Sequence, residues 1–409
     1  MSVRKRILPR TGALRWYVDY RDQQGKRRAK QFETKADAVS FETTVRGELK
    51  SGTHVPDSIT ITMSQAAALW IARAERMGRE VSTIKQYNEH VDIHIKPLLG
   101  TKKLSQLSQP AIESFKDTLL ETRSAALTKA VLASVKAILS NARRLGKIGR
   151  NVAEDVRVEM SSRDKAEITI PSKAELRMLI EKAAEMWPLT RVKTDRKGKQ
   201  KVLSICWRPL ITTAVLTGLR SSELRGLTWA HVDFVAGAIR VRQRADLKNN
   251  MGPPKSNAGR RDVPMAPLVA RTMKEWKLAC PVTELDLVFP AQSGGIVTNG
   301  TIHRRCWALL QKACGLVENM PRLDKAGAPV LDKAGNPIID AVPKYTFHAL
   351  RHAAASLFIE EGWTPKRLQK VLGHSTISMS MDTYGHLFSD PDGDARAMAG
   401  IEARLLGRP

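Results

Sequence analysis

The chain has 409 residues, of which 67 are Lys or Arg and 41 are Asp or Glu, so its formal net charge at pH 7 is +26. This length predicts two or three domains, and so large a basic excess predicts a polyanionic partner, with nucleic acid as the first expectation. We expect no membrane association, because the sequence contains no apolar run of the roughly 18 residues that a spanning helix needs and its basic start leads into Pro9-Arg10-Thr11-Gly12 instead of a signal-peptide apolar stretch.

The spacing of the cysteines bears on metal binding and on disulfide formation. Cys206, Cys280, Cys306 and Cys314 form no Cys-x-x-Cys pair, so their spacing predicts neither a zinc knuckle nor a disulfide framework. A reducing cytoplasmic location fits this pattern.

The N-terminal residues predict a β-hairpin followed by a helix. Apolar and polar residues alternate from Leu14 to Tyr20, a turn is expected at 22–26, and the pattern resumes through Arg27 to Phe32. Thr34 is the predicted N-cap of a helix at 35–50. Residues 1–50 carry 13 Lys or Arg against 6 Asp or Glu, which favours DNA binding, although a plain protein-interaction module would have the same pattern.

The next region predicts a helical domain after a short linker at 51–57. Amphipathic stretches begin at Met63 and at Thr83, and we expect the second one to end at Ile95, stopped by Lys96-Pro97-Leu98-Leu99-Gly100. Helices are also predicted at 109–122 and 125–145.

A third region begins near 170–172, where Ser172 and Glu175 form a capping box. The apolar run 210–216 predicts a buried helix that presents Arg220 at its end. Residues 191–201 are polar and are predicted to be a mobile loop, whereas the imperfect repeat at 323–340 predicts a surface hairpin.

Four separated motifs supply the groups that phosphoryl transfer to a tyrosine would need. A guanidinium can bind two phosphate oxygens at once, and a phenol can act as the nucleophile. The motifs are Thr217-Gly218-Leu219-Arg220, His348-Ala349-Leu350-Arg351-His352, Leu372-Gly373-His374 and, ten residues after His374, Tyr384. In this order and spacing, the set resembles the tyrosine recombinase (phage integrase) family.

The resemblance implies a multidomain fold of three parts. Residues 1–55 would be a small β-sheet plus helix domain that binds arm-type DNA sites, and residues 60–160 an all-α core-binding domain. Residues 170–409 would be a mixed, mainly α catalytic domain with a small antiparallel sheet and a C-terminal tail helix.

The resemblance also implies a role for each site residue. Arg220 and Arg351 would clamp the phosphate, His348 would assist the nucleophile, and His374 would donate to a nonbridging oxygen. Tyr384 would be the nucleophile. A lysine in the turn between strands predicted at 238–242 and 262–265 would protonate the leaving oxygen; we assign Lys255, with Lys248 as the alternative.

Some of these residues also fit other kinds of site. His348 and His352 have the i,i+4 spacing of a zinc-binding helix, but Ala349 stands where a zinc protease has its Glu. No metal is therefore expected. His352 is predicted to pack in the interior or to hold the catalytic residues in place. Tyr345 lacks the ten-residue spacing and is predicted to pack or to contact DNA.

Eight basic residues are predicted to bind DNA phosphates. For any one of the five in the helical region a solvated helix face is the plainer interpretation, and only the cluster favours DNA. The eight residues are Arg15, Arg27, Arg28, Lys85, Lys129, Lys136, Arg143 and Arg144.

The resemblance therefore implies a bacterial, nucleoid-associated integrase that cuts and rejoins DNA through a 3′-phosphotyrosyl intermediate and needs no cofactor. It would act on double-stranded core and arm sites as a homotetramer, with a directionality factor or DNA-bending protein left open. A tail helix at 394–406, with Met398, Ile401 and Leu405 on one face, would dock on a neighbouring subunit or on its own catalytic domain. A Xer-like resolvase, a topoisomerase and a catalytically silent regulator are the alternatives.

Overall fold

The structure is a computed structural model that describes residues 1–7, 13–52, 54–159, 169–188, 190–194, 200–204, 206–324, 328–388 and 391–406. The chain divides into two compact units, Met1–Ala166 and Glu167–Pro409. The division of the first unit into arm-binding and core-binding domains stays a prediction.

The first unit opens with an antiparallel sheet of order β1-β2-β3, formed by β1 (Ser2–Ile7), β2 (Leu14–Arg21) and β3 (Arg27–Phe32). The hairpin and the following helix α1 (Lys35–Lys50), capped by the Thr34 hydroxyl, lie where the sequence predicted them. The strand β1 was missed, because its Arg-Lys-Arg run hides the alternation that usually reveals a strand.

The segment predicted to be a linker packs against this sheet. The buried His54 ring lies 2.8 Å from a Glu48 carboxylate oxygen and 2.9 Å from the Tyr20 hydroxyl. Asp57 accepts a 2.6 Å hydrogen bond from Lys30. Residues 54–57 are therefore held by side-chain hydrogen bonds and are not a free tether.

The rest of the first unit is helical around one apolar core that includes Met63, Ile95, Ile112 and Ile138. Its helices are α2 (Met63–Arg76), α3 (Val81–Glu89), α4 (Lys96–Leu99), α5 (Gln109–Thr122) and α6 (Ala125–Arg144).

The predicted stop at Lys96-Pro97 is wrong. A π-helical turn, His90–Ile95, connects α3 to α4, and the helical path continues to Gly100. The Lys96 N–H donates to the Val91 carbonyl, which is the five-residue spacing of a π-helix. Pro97 then falls in the first turn of α4, where a missing N–H and a fixed φ are tolerated.

The π-helical turn buries two histidines. His90 and His94 are 6% and 9% exposed, and His90 Nδ1 lies 2.8 Å from the Ser134 hydroxyl. Burial lowers the pKa of both rings; His94 adds to the effect at His90, and Arg123 adds to it at His94. Both rings are therefore neutral in the folded protein at pH 7.

We predict that acid selectively loosens this domain. A histidine whose folded pKa is lowered contributes stability above its unfolded pKa of about 6.5 and loses it as the pH falls below that value, because the unfolded chain then binds more protons. Amide hydrogen exchange within residues 81–144 of the full chain should accelerate between pH 7 and pH 5.5, after correction for intrinsic rates. In a His90→Gln/His94→Gln variant this extra acceleration should shrink, and an undiminished acid effect in that variant would contradict the assignment.

The second unit is built around a larger core that includes Leu210, Trp276, Phe289, Trp307 and Leu350. Its first elements are α7 (Lys173–Met186), β4 (Thr190–Thr194), β5 (Gln200–Ser204), α8 (Trp207–Thr217), α9 (Ser221–Arg225), β6 (Val232–Asp233), β7 (Ala238–Val241), β8 (Arg244–Ala245), β9 (Met251–Gly252) and β10 (Arg261–Pro264). The remainder are α10 (Pro267–Ala279), α11 (Asn299–Ile302), α12 (Ala308–Ala313), β11 (Val317–Pro321), β12 (Ile339–Pro343), α13 (Ala349–Glu360), α14 (Pro365–Leu372), α15 (Ile377–Tyr384) and α16 (Pro391–Leu406).

Small antiparallel sheets support this unit. The order β10-β7-β6 contains the two strands predicted at 238–242 and 262–265. The interpretation of 191–201 as a loop is wrong for its described residues, because β4 and β5 pair in register; residues 195–199 lie outside the described part. The repeat at 323–340 does continue a hairpin from β11 and β12, with residues 325–327 outside the described part.

The capping box of Ser172 and Glu175 is present at the start of α7. The tail helix α16 also forms, with Met398, Ile401 and Leu405 exposed by 65%, 49% and 81%. Among the described residues, no helix combines the length and the apolar character needed to cross a membrane.

Candidate active site

Three arginines converge on the C-terminal end of α14. Arg261 Nε donates to the Val371 carbonyl, Arg351 Nη2 to the Leu372 carbonyl and Arg220 Nη2 to the Gly373 carbonyl at 3.0 Å. The last carbonyls of a helix have no partner within the helix and lie at the negative end of its dipole. Three consecutive carbonyls therefore orient three guanidinium groups, and we call this set the carbonyl row.

Gly373 ends α14 in the left-handed conformation, with φ of +67°. A Cβ at this position would lie 2.9 Å from the Ala258 carbonyl oxygen and 3.0 Å from Arg261. The glycine of the Leu-Gly-His motif thus serves two purposes, since it permits the helix cap and lets the 256–260 segment approach the carbonyl row.

A buried carboxylate fixes two of the arginines. Glu223, 4% exposed, accepts from the Arg220 main-chain N–H at 2.8 Å and from Arg220 Nη1 at 2.9 Å. Arg261 donates to both of its oxygens, at 2.8 and 2.9 Å. Burial alone would raise the pKa of Glu223, but the hydrogen bonds and charge of Arg261, with Arg220, lower it to about 2.

Arg351 completes the cluster. Its side chain is buried and its Nη1 donates to the Gly218 carbonyl at 2.8 Å. Burial and the neighbouring Arg220 lower the pKa of Arg351 to about 9, so it stays protonated at neutral pH. Three guanidinium groups and one carboxylate leave a net charge of +2 around Glu223.

His374 and His348 differ in their surroundings. His374 is buried, with Nδ1 2.8 Å from the Ser380 hydroxyl, and burial followed by the three arginines lowers its pKa to about 4. The pKa of His348 is also lowered, first by loss of solvent around part of the ring and then by His352 and the arginines. The residue as a whole is exposed to solvent, which moderates this shift. His348 is the N-cap residue of α13 and precedes its first helical residue.

Tyr384 lies at the end of α15 and is 4% exposed, packed against a small cluster that includes Ala355, Leu368 and Leu372. Its hydroxyl lies 2.7 Å from His352 Nδ1. Burial raises the pKa of Tyr384 to about 12, against the lowering effect of Arg351 and Arg220. The contact with His352 was not anticipated, because nothing in the sequence distinguishes a packed histidine from one that touches the nucleophile.

The two candidate lysines lie on different loops. Lys255 is exposed on the segment that approaches Gly373, and this segment is tight, because a Cβ at Gly259 would lie 2.4 Å from Pro254. Lys248 is exposed on the turn between β8 and β9, which is held by the buried Arg225 through the Asp246 carbonyl at 3.1 Å. The structure therefore brings the main chain at Ala258, three residues after Lys255, close to Gly373 of the Leu-Gly-His segment.

Arg261 is the main omission from the sequence interpretation. It falls in the turn predicted between the strands at 238–242 and 262–265, where an exposed side chain is expected. In the structure it begins β10, and its side chain is 1% exposed. Tyr345 packs as predicted, with its ring buried and its hydroxyl 2.9 Å from Glu175. Within the described residues, no group of three or more His, Cys, Asp or Glu side chains is arranged to hold a metal ion.

The basic residues predicted at the N-terminal sheet are partly engaged within the protein. Arg28 pairs with the buried Asp22 at 2.8 Å and donates to Ser58. Arg15 and Arg27 each pair with a nearby carboxylate, at 2.9 and 3.4 Å, and Arg27 remains 71% exposed. Arg28 is thus the least available of the three for DNA.

The helical domain presents a more open basic surface. Lys129 is exposed, and the exposed Lys85 and Arg143 make only long pairs with carboxylates, at 3.7 and 3.3 Å. Lys136 donates to a main-chain carbonyl and Arg144 to an asparagine side chain. DNA binding by all eight residues stays a prediction.

Comparison with known proteins agrees with this geometry. The Phage integrase family profile matches residues 191–390, which contain Arg220, His348, Arg351, His374 and Tyr384. The "Tyrosine recombinase XerC-like" protein of Caldanaerobacter subterraneus subsp. tengcongensis is 26% identical over 384 residues, or 90% of each chain. Residues 191–390 thus belong to the phage integrase family. The chain is a tyrosine-type site-specific recombinase.

Further relatives and structures agree. "Prophage integrase IntR" of Escherichia coli K12 is 28% identical over 47% of this chain and 45% of its own length. Two solved structures share the fold. The Tn1549 transposon integrase with a circular intermediate DNA has a TM-score of 0.62 at 20% identity, and the match covers 84% of this chain and all of that one. A lambda integrase tetramer bound to a Holliday junction has a TM-score of 0.54 at 19% identity, over 91% and 96% of the two chains.

The Glu223–Arg261 pair should be a principal source of stability in this recombinase. Glu223→Gln leaves a buried guanidinium without its counter-charge, and removing one partner of such a pair costs about 3–5 kcal/mol. We expect a large fall in the denaturant midpoint of the second unit, followed by tryptophan fluorescence. Asp340→Asn is the matched control, since it breaks the pair of Asp340 with Arg322, whose side chains are 44% and 52% exposed, and should cost about 1 kcal/mol or less. Equal losses in the two variants would contradict the role assigned to Glu223.

Proposed function

We propose that this recombinase integrates or excises a mobile element by attack of Tyr384 on a DNA phosphodiester held by Arg220 and Arg351. The Tyr384 oxygen forms a bond to phosphorus and the bond to the 5′ oxygen breaks, which leaves a 3′-phosphotyrosine and a 5′-hydroxyl. Religation reverses these steps. The bond energy stays in the covalent intermediate, so the strand is resealed without a nucleotide cofactor.

The observation that carries the proposal is the uncompensated charge of the arginine cluster. Its net charge of +2 lies close to Tyr384, because Tyr384 packs in one cluster with Leu372, whose carbonyl accepts from Arg351. A phosphodiester brings one negative charge, and addition of a phenolate raises the charge of the phosphoryl group to two. Fixed positive charge that matches the transition state better than the ground state accelerates the reaction.

The neighbouring groups fit the remaining roles. The neutral His374, with Nδ1 facing the Ser380 hydroxyl, can donate its Nε2 proton to a nonbridging oxygen. Lys255 is our choice for the proton donor to the leaving 5′ oxygen, because its loop packs against Gly373 next to His374. His348, exposed beside Arg351, is available to the incoming DNA.

An integrase is favoured over a resolvase by the first unit, whose basic sheet precedes a separate helical region and offers a second DNA-binding surface. Residues 1–55 would bind arm sites and residues 60–160 core sites. The exposed stripe of Met398, Ile401 and Leu405 on α16 would dock on a neighbouring subunit in a tetramer; the related lambda integrase forms a tetramer on a Holliday junction. A directionality factor or bending protein would act on the same assembly.

The chemistry is tested with Tyr384→Phe. This variant should bind a nicked duplex from the ends of the element as the wild type does, yet form no covalent adduct on a denaturing gel. The wild-type adduct should form equally well in EDTA, since the arginines supply the positive charge. An adduct with the Phe variant, or loss of the wild-type adduct on chelation, would refute the mechanism.

The proton donor is tested with a DNA whose leaving 5′ oxygen is replaced by sulfur. A thiolate leaves without protonation, so loss of a general acid should matter little on this substrate. Lys255→Ala should cleave ordinary DNA about 10²–10⁴-fold more slowly and should regain most of the wild-type rate on the sulfur substrate. Lys248→Ala is the matched control and should cleave both at near wild-type rates. If instead Lys248→Ala cleaves ordinary DNA slowly and regains its rate on the sulfur substrate, Lys248 is the proton donor.

A further inference from the structure

A cavity of about 310 Å³ lies in the helical domain, where α2 and α6 end. Its wall carries three arginines and two aromatic rings, and within the described residues no acidic side chain lines it. The neighbouring Arg143, by contrast, lies outside the cavity and pairs with Glu154. We call the polar and aromatic part of this wall the arginine pocket, which consists of Trp70, Arg73, Arg79, Tyr87, Asn141 and Arg144.

Two of the arginines converge on one neutral side chain. Asn141 Oδ1 accepts a hydrogen bond from Arg73 Nη1 at 3.3 Å and another from Arg144 Nη2. Asn141 is 5% exposed, and its Nδ2 has no hydrogen-bond partner among the described residues. Like charges that share one acceptor repel each other, and a buried donor without a partner costs free energy. The pocket therefore concentrates donors and positive charge around too few acceptors.

Capping of the two helices does not account for these arginines. Each helix ends before a glycine in the left-handed conformation. In α2 the main-chain N–H of Arg79 donates to the Ala74 carbonyl at 3.1 Å. In α6 the main-chain N–H of Lys147 donates to the Ala142 carbonyl at 2.9 Å. The two helix ends contribute about half a negative charge each, so three guanidinium groups leave about two positive charges in the pocket.

The aromatic rings form the apolar side of the pocket. The centroids of Trp70 and Tyr87 lie 4.1 Å apart, with the ring planes at 32°. Trp70 is buried and Tyr87 is partly exposed. An apolar surface beside guanidinium groups suits a ligand that combines an anionic group with an apolar edge, as the phosphate and sugar of a nucleotide do.

We propose that the arginine pocket binds one backbone phosphate of duplex DNA at a core site, with Arg73, Arg79 and Arg144 donating to its oxygens. The assignment rests on the function proposed above, in which residues 60–160 bind core sites. A phosphate supplies the acceptors that the guanidinium groups lack. Asn141 is a positioning residue, because it aligns Arg73 and Arg144. A contact of this kind fixes the position of the protein along the duplex without reading a base.

Asn141→Asp tests the pocket without removing an arginine. The new carboxylate has the size of the amide and should pair with Arg73 and Arg144, so the melting temperature of the free protein should rise. Binding of a duplex from the ends of the element should weaken on the order of 10–100-fold. The slope of log affinity against log salt concentration should become shallower by about 0.9, the value for one phosphate contact.

Asn88→Asp is the matched control for this variant. It makes the same change of charge on the exposed surface of α3, where the Asn88 side chain donates to the Ile84 carbonyl, and it should bind DNA nearly as the wild type does. Arg79→Gln provides a second test, since Arg79 is exposed and its replacement should not disturb folding. It should also weaken DNA binding, whereas Arg76→Gln, exposed on α2 outside the pocket, should not.

Two further measurements separate a DNA phosphate from the phosphate of a small molecule. Neutral methylphosphonate linkages are placed one at a time along the duplex. At one position the substitution should weaken binding by the wild type but have little effect on Asn141→Asp, which no longer uses that contact. Sodium phosphate is then compared with sodium chloride at equal ionic strength. If the pocket binds free phosphate, amide hydrogen exchange at 73–79 and 141–147 should slow in the wild type and not in Asn141→Asp.

The outcomes are distinct. One sensitive linkage supports a DNA phosphate as the ligand. Slower exchange in phosphate without any sensitive linkage supports the pocket and assigns it to a small phosphate compound. The proposal is overturned if Asn141→Asp and Arg79→Gln bind DNA as their controls do and phosphate leaves exchange unchanged. At saturating DNA all four variants should form the Tyr384 adduct at the wild-type rate. If the wild type binds the duplex but forms no adduct, the proposed function fails and the pocket is still judged by the binding data.

Discussion

The site depends on one electrostatic constraint: three guanidinium groups must be held close together without a matching number of acids. Each of Arg220, Arg261 and Arg351 bonds to a carbonyl at the end of α14, and in the part of the chain that the structure describes Glu223 is the carboxylate that lies among them. The dipoles of these carbonyls orient the guanidinium groups but do not neutralise their positive charge. A second or third acid would have stabilised the resting protein but would also have neutralised the field that the phosphate meets.

The charged groups of the site differ in how deeply they are buried. Arg261 and Glu223 form a buried, bidentate pair that is satisfied before DNA arrives. A third of the Arg220 side chain is exposed, so it remains accessible to a ligand while its pair with Glu223 orients the guanidinium group. Under the proposed function, positioning thus comes from groups that do not face the substrate, and catalysis from groups that do.

The sequence predicted the parts of the site that lie in local motifs. Arg220, Arg351, His374 and Tyr384 have short, characteristic neighbours, and their order along the chain carries information. Arg261 has no such signal, because its partners lie 38 residues before it and 110 residues after it. The contact of His352 with Tyr384 has no sequence signal for a related reason, because the two residues lie 32 positions apart.

The same distinction applies to the fold. Helices α1, α2, α5 and α6 followed from caps and apolar periodicity, which are local properties. The strands β1, β4 and β5 did not, because a strand rich in charged residues is stabilised by its pairing partner and not by its own composition. The π-helical turn escaped prediction because it changes the hydrogen-bond spacing without changing the apolar pattern.

The carbonyl row also affects which substitutions the chain tolerates. Its acceptors belong to the main chain of residues 371–373, so no side-chain replacement at Val371 or Leu372 can remove them; such changes alter only apolar packing. A one-residue deletion within α14 would instead rotate the helix end by about 100° and present different carbonyls to the arginines. The site should therefore accept varied residues at the exposed positions of this helix, such as Lys366 and Lys370, while rejecting changes in its length.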